Sequence, residues 1–447
     1  MHAIRVWSLW QALVVEVAAG FTQPGRRRFV EWVTALALNV EEHTITQSLV
    51  GLDRTDDWKA LEEFAEYGAW NLPLLEWSLG WALERLPDAR WYGFHVWAGD
   101  DTKVHRSSPD VWGTCTFHEY TARCPNRAST VRAHNWVVLG GLVPRTGEPA
   151  CFLPVGGRLY FRRSQLPTTG EPFRSKCDLL VELLRHQART EAGPHLGVFD
   201  GGFALRSVVR PLVLPDRPDQ PRIDVVTRLR HDARLCALPP QTRRPGQRGP
   251  TPKWGRPLPP PRHGGRWPGA WQEGKVFVYG RVRTVRWKEV VCLWRVLGSE
   301  APVKAVVAEV EGYRKRFTLV TSALALTGLQ VVELFCARYR QEDGFRDLKQ
   351  RLGWEECRAW TKNPIVRTTQ TLFATLTLLR LFQGRLEAVA GDGWWLHPPW
   401  NPGKTRPSVL DVERLLRRQR EEIQHGLASW LENEEKAGSA APETVAM

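Results

Sequence analysis

Three acidic residues of this 447-residue chain sit where an acid is costly to keep. Asp101 follows the aromatic, β-rich run Trp91–Gly99, in Trp97-Ala98-Gly99-Asp100-Asp101-Thr102. Asp200 follows the apolar run His195–Phe199 and precedes Gly201-Gly202. A carboxylate at a buried strand end is unfavourable unless it is paired or binds a cation. Successive strand residues face opposite sides, so only one of Asp100 and Asp101 can enter a site shared with Asp200. Glu342 is the third acid. With Phe335, Arg338, Phe345 and Lys349 it falls at spacings that cover about 80° of one helix face. Arg, Glu and Lys around aromatics make an odd core face, but they suit a carboxylate on a metal with cations on flanking phosphates. Three carboxylates are the minimum hard-oxygen set for two Mg²⁺ ions roughly 4 Å apart, which activate a water and stabilise the leaving oxygen in phosphodiester cleavage.

Hydrophobic periodicity outlines the elements that must position these residues. Residues 1–90 read as helices, with helical spacing in Phe29–Leu38, Trp58–Tyr67 and Leu74–Leu86. Arg26, Arg27 and Arg28 open one of them, either to meet phosphates or as a solvated turn. From residue 91 three strand-like runs (Trp91–Gly99, Asn135–Val143, Ala150–Phe161) precede a helix at Ser175–Thr190, the strand His195–Phe199, a helix at Phe203–Val213 and a strand at Ile223–Leu229. That succession predicts a mixed α/β sheet. Strand runs at Val276–Val285, Val290–Val296, Ala305–Val310 and Phe317–Val320 lead into three expected helices: Thr327–Leu352, Thr361–Glu387 and Ser408–Leu431. Ser408 with Asp411 is a cap for the last of them, and the acidic, polar tail from Glu432 is expected to be disordered.

The charge points to a polyanionic partner. The chain carries 62 Lys and Arg against 48 Asp and Glu, a net +14. Fourteen basic residues lie between Arg230 and Lys288, opposed only by Asp232 and Glu273. Ten prolines between Pro239 and Pro268 exclude regular structure there, and Trp254, Trp267, Trp271 and Trp287 are interleaved. Guanidinium groups for phosphate and ring faces for unpaired bases are what a nucleic-acid groove uses. Arg243, Arg244, Arg248, Lys253 and Trp254 are its candidate contacts. One of Trp254, Trp267, Trp271, Trp287 and Trp294 could stack on a flipped base. No uninterrupted apolar run reaches the length of a membrane span, and no signal peptide is expected. The eight cysteines lack a CxxC pair, and Cys115, His118, Cys124 and His134 match no compact zinc spacing. A cytoplasmic, nucleoid-associated protein is the expectation. A two-carboxylate glycosidase would explain paired acids and many tryptophans, but not the basic insertion or the Arg and Lys flanking Glu342.

Asp-Asp-Thr at one strand end, Asp-Gly-Gly-Phe at the next, and Phe335-x2-Arg338-x3-Glu342-x6-Lys349 together resemble the prokaryotic DDE transposases. More narrowly they resemble the insertion-sequence group with a Tyr-Arg-Glu-Lys signature. Gly344–Gly353, Asn135–Val138, Val226–Arg230 and Arg248–Gly255 are similar to that group's wording. Three positions depart from it: Phe335 stands for the signature Tyr and lacks a hydroxyl for DNA, and Tyr339 and Gln341 replace commoner Trp and Ile.

The resemblance implies an α/β, RNase H-like mixed sheet with a β-rich insertion, preceded and followed by helical regions. Its divisions are an accessory or DNA-binding region at 1–90, a catalytic domain at 91–230 and 317–390, a basic insertion at 231–316, helices at 391–431 and a tail at 432–447. Asp101, Asp200 and Glu342 would be catalytic and hold two Mg²⁺, for which Mn²⁺ can substitute. Asp101 is preferred because the family's aspartate directly precedes the Thr. Arg338, Lys349 and Phe335 would contact DNA. The implied enzyme binds double-stranded terminal repeats, cleaves a strand at each end and transfers it to target DNA, as a homodimer in the synaptic complex. The alternative is a domesticated or inactive transposase-like DNA binder that does not cut, which the retained acids argue against.

Overall fold

A computed structural model of the chain describes residues 5–86, 88–119, 129–145, 148–190, 193–240, 249–278, 280–391 and 393–439. The chain opens with helices α1 (Val6–Val17), α2 (Gln23–Leu38), α3 (Trp58–Tyr67) and α4 (Leu72–Glu84). Strands β1 (His95–His105), β2 (Cys115–His118), β3 (Thr130–Arg145) and β4 (Glu148–Tyr160) follow. After a single turn, α5 (Leu166–Thr169), come α6 (Lys176–Thr190), β5 (His195–Phe199), α7 (Arg206–Val213), β6 (Ile223–Arg228) and the short β7 (Leu235–Cys236). Strands β8 (Gln272–Val278), β9 (Arg281–Trp294), β10 (Val303–Val310) and β11 (Phe317–Thr321) precede α8 (Gly328–Ala337), α9 (Arg340–Gln350), α10 (Lys362–Ala390), α11 (Val409–Arg418) and α12 (Arg420–Ser439).

The strands form one mixed sheet ordered β2-β3-β1-β5-β6-β11-β10-β9-β7, with β4 added to β3 and β8 to β9. The centre is parallel, β1 beside β5 and β5 beside β6, as short apolar strands covered on both faces require. Strands β9 and β10, which fall within the expected insertion, continue this sheet through β6–β11–β10–β9. Helix α6 lies close on one face, where a Cβ on Gly99 would collide with Leu180. Helices α8, α9 and α10 cover the other. The last of these is sandwiched between β4 and an outer layer that includes α1, α2, α3 and α11. Its Arg380 is buried and pairs with Asp347 of α9 at 2.9 Å, fixing one helix on the other.

Several local expectations need correction. The expected helix Thr327–Leu352 is two helices, broken at Arg338-Tyr339, where Tyr339 N donates to Cys336 O and Glu342 N to Tyr339 O in tighter i→i+3 turns. Thr327 starts α8 with a capping box, its N–H donating to Gln330 Oε1 at 2.8 Å. The expected helix Ser408–Leu431 likewise breaks at Gln419, and its Ser408–Asp411 cap is present. Residues 432–439 of the expected tail instead continue α12, where Glu434 and Glu435 bind Arg26 and Arg27, and residues 440–447 lie outside the described residues. Those arginines therefore meet acids, and Arg28 pairs with Glu31 at 2.7 Å. The boundary expected near residues 286–289 falls inside β9. Trp267, Trp287 and Trp294 are core residues, which removes them as base-stacking platforms. Of the rejected zinc quartet, Cys124 lies outside the described residues. The His134 ring bonds the Trp112 carbonyl at 2.8 Å, and burial followed by the charge of Arg106 pushes its pKa down to about 3. Among the described residues no helix is long and apolar enough to cross a membrane.

One buried acid in the helical layer gives a signed pH test. Glu413 of α11 is 3% exposed, and burial pushes its pKa from 4.5 up to about 7, with Arg417 and Arg351 opposing and Asp347 adding. The folded state thus holds a proton that the unfolded chain releases near 4.5. Its contribution is full below that pH and is lost as pH rises through about 7. Glu413→Gln is expected to raise unfolding free energy at pH 8 by roughly 1–3 kcal/mol and to change it little at pH 4. Urea melts at the two pH values check this, and no gain at pH 8 would refute it.

Candidate active site

Parallel register decides which acids meet. Gly99 of β1 is aligned with Phe199 of β5, so Asp100 and Asp200 occupy the next equivalent positions on adjacent strands, which lie about 4.8 Å apart. Equivalent positions of parallel neighbours face the same side. Burial pushes the Asp100 carboxyl up to about 7, with Arg338 opposing the rise and the charge of Asp200 adding to it. Asp200 is fixed locally: its Oδ1 accepts from Gly202 N at 2.7 Å, and its carbonyl accepts from Thr227 Oγ1 at 2.9 Å.

The break between α8 and α9 delivers Arg338 to this pair. Its Nη1 lies 2.8 Å from Asp100 Oδ2, both side chains being largely buried, while its Nε is buried without a partner among the described residues. The guanidinium also lies 5.8 Å from the centre of the Phe335 ring, and that ring packs on Phe317. Asp101, the aspartate named from the sequence, points to the opposite face, with its carboxylate 2.6 Å from Lys176 Nζ of α6. The structure therefore puts Asp100, and not Asp101, beside Asp200. The alternation along β1 requires one or the other, and α6 supplies the cation that holds Asp101 away.

Glu342 lies one turn beyond Arg338 on α9 and is exposed. Its carboxylate makes no hydrogen bond or ion pair with the described residues, although its charge reaches Lys349. Gln341 anchors this end of α9 by donating to Val138 O at 3.2 Å. Among the described residues no three His, Cys, Asp or Glu side chains are grouped closely enough to hold a metal ion. Asp100 and Asp200 are together, and Glu342 stands apart from them.

Lys349 is partly buried and donates to Lys103 O at 2.6 Å. Burial lowers its pKa, with Glu355 and Glu342 opposing. Lys253 and Trp254 are not brought to the acids. The Arg295 guanidinium covers the Trp254 ring at 3.9 Å, next to the end of β9. In the sheet register Asp200 is level with Arg228, Leu319, Val306 and Glu289, so Trp294 lies five residues toward the opposite edge, about 17 Å. Arg243, Arg244 and Arg248 lie outside the described residues. The sequence reading left Asp100 as the alternative to Asp101, and it did not single out the cations of the β10–β11 turn, Arg314-Lys315-Arg316, whose signal is a basic triplet just ahead of a strand.

The pairing of Arg338 with Asp100 can be measured. Arg338→Met is expected to cost about 2 kcal/mol, the scale of a hydrogen bond to a charged group. Adding Asp100→Asn should recover a good part of it, because no charge is then left without its partner. Denaturant melts of both single variants and the double variant read the coupling, and strictly additive losses would mean the pair does not form.

Residues 16–291 match the family described as DDE superfamily endonuclease. The match takes in well over half of the chain, including Asp100, Asp101 and Asp200, and ends before Arg338 and Glu342. No curated protein matches the sequence. The mixed sheet, with its parallel β1–β5–β6 centre and helices on both faces, is the RNase H-like α/β fold of DDE nucleases. The chain belongs to the DDE superfamily of endonucleases, enzymes of the transposase type acting on DNA.

Proposed function

We infer that this endonuclease is the transposase of a prokaryotic insertion sequence in the group with the Tyr-Arg-Glu-Lys signature, with Phe335 in place of the Tyr. The observation that carries the reading is the side-by-side pair Asp100 and Asp200, with Arg338 held on it by a helix break that also leads to Glu342. We assign Asp100, Asp200 and Glu342 as the acidic triad, with Asp100 in the place first given to Asp101.

Hard carboxylate oxygens on adjacent strands fit a divalent cation, since two like charges at that spacing favour a positive group between them. Mg²⁺, or Mn²⁺ in its place, would be held by Asp100 and Asp200, and Glu342, which stands apart from them here, would have to move in to serve as the third acid. Bound there it would activate water and stabilise the leaving oxygen. The chain's own contribution is positioning and charge. The β1–β5 register sets the spacing of the aspartates, and the Gly202 amide orients the Asp200 carboxylate. Arg338 keeps a positive charge at Asp100 and can turn its other donors to a phosphate oxygen. Lys349 adds a second cation near Glu342. Two copies, one per terminal inverted repeat, would bring paired ends together for cleavage and strand transfer.

The test is cleavage of DNA carrying the ends of the chain's own element. Wild type is expected to nick at the ends with Mg²⁺ and not with EDTA. Asp100→Asn, Asp200→Asn and Glu342→Gln should each lower the rate by roughly 10²-fold or more, while Asp101→Asn stays near wild type. Loss of activity in Asp101→Asn with retention in Asp100→Asn would reverse the aspartate assignment. Specific binding without nicking by wild type would favour the non-cleaving reading.

A further inference from the structure

A groove of about 1120 Å³ opens beside Asp200, lined by Gly201, the end of β6 and the strand ends around the β10–β11 turn. It lies off the carboxyl ends of β5 and β6, the edge where open α/β sheets take their ligands. Seven Arg and Lys side chains line it against two acids, Glu309 and Glu311. Neither acid is spare. Glu309 pairs with Arg316 at 2.5 Å and Arg286 at 3.3 Å, and Glu311 accepts from Thr284 N at 3.0 Å. Arg228, Arg314 and Lys315 are exposed and have no acid partner among the described residues. Unpaired like charges facing one concavity repel each other and focus positive potential into it, which favours a polyanion there.

We propose that this groove is a phosphodiester-binding site for the DNA strand that leaves the carboxylates on the Asp200 side, with Arg228, Arg314 and Lys315 as its phosphate contacts. The proposal rests on the nuclease reading for the direction of the strand. Three features support it. Arg228 is level with Asp200 in the β5–β6 register, so the first phosphate contact lies one strand away from the acid pair. The groove lies on the β6–β11–β10 side of that pair, whereas Lys349 sits on β1 itself through Lys103 O, so the two cation sets flank the acids. Tyr313, half-exposed and with the Arg283 guanidinium 5.1 Å from its ring centre, also lines the groove and adds an aromatic surface beside the cations. None of these contacts is among Arg243, Arg244, Arg248, Lys253 and Trp254.

The experiment is DNA binding without divalent metal, which keeps it separate from cleavage. Anisotropy of a random-sequence duplex is titrated against salt for wild type, for Arg228→Gln/Arg314→Gln/Lys315→Gln, and for Arg210→Gln as a surface control. Each lost phosphate contact removes about 0.9 from the slope of log K against log salt, so the triple variant should flatten it by roughly 2–3 and lose about 100-fold or more in affinity at low salt. The control should match wild type. A folded triple variant, by its thermal melt, with an unchanged slope overturns the proposal and leaves the catalytic reading standing. Normal cleavage by Asp100→Asn together with a flattened slope in the triple variant would sink the catalytic reading and keep the groove. Loss of binding to phosphatidylglycerol vesicles with DNA binding intact would make the occupant a lipid surface and overturn the DNA assignment.

Discussion

The parallel register of β1 against β5 is the constraint on which the site depends. It places two aspartates at equivalent positions of neighbouring strands, a separation at which two carboxylates oppose each other's ionisation. The rest of this face of the sheet can be understood as an answer to that repulsion. The small residues Gly99 and Gly197 let α6 seat tightly behind the sheet, so the two strands are held in register by packing and not by the acids themselves. Arg338 then brings a fixed cation to Asp100 from the other face. Burial, with a smaller contribution from Asp200, still raises Asp100 against that charge. A like-charge pair fixed by packing and only partly neutralised is poised to take a further positive group, the electrostatic preorganisation a phosphodiester nuclease needs.

The break at Arg338-Tyr339 has the same logic. An unbroken α-helix would put Arg338 and Glu342 four residues apart on one stripe, where they would form an ordinary i,i+4 ion pair. Two tight turns change the path of the chain, so Arg338 reaches inward to Asp100 while Glu342 stays exposed. Gln341 and Phe345 anchor α9 in this orientation, the first through Val138 O and the second against Phe152. The cation and the third acid are thereby kept from neutralising each other.

Much of this was legible in the sequence, and the failures have identifiable physical sources. Acids beside apolar runs were visible because their cost is local: Asp200 does follow the end of β5, whereas Asp100 and Asp101 lie within β1, which runs on to His105 and not to an end at Gly99. The alternation rule correctly said that one of Asp100 and Asp101 must face away. It could not say which, because that depends on where α6 brings Lys176, a contact between residues 75 positions apart. The cap at Ser408–Asp411 was readable because it is local, whereas the break at Arg338-Tyr339 was not, since no Gly or Pro marks it and the residues Arg338 serves lie on β1. The fate of Arg26 and Arg27 was equally hidden, because their partners are more than 400 residues away on α12. The tryptophans misled for a different reason. Interleaving with arginine looks the same in a sheet whose alternate residues are core as in a nucleic-acid groove, and β9 buries Trp287 and Trp294 while Arg286 within it and Arg295 just past its end are exposed.

The net charge of +14 gains its meaning from this distribution. A solvated basic protein would spread its excess or pair it locally, and many arginines here are indeed paired. The uncompensated ones around the β10–β11 turn belong to three different sequence segments, at 228, 262 and 314–315, that meet only because β6, β11 and β10 are neighbours in the sheet. A charge count along the chain locates the stretch from Arg230 to Lys288, fourteen basic residues against two acids. The concavity beside Asp200 gathers cations from inside that stretch, such as Arg262, and from outside it, such as Arg228 and Arg314. For a polyanion approaching the acids the second grouping matters, since potential adds over distance in space and is screened within about 8–10 Å.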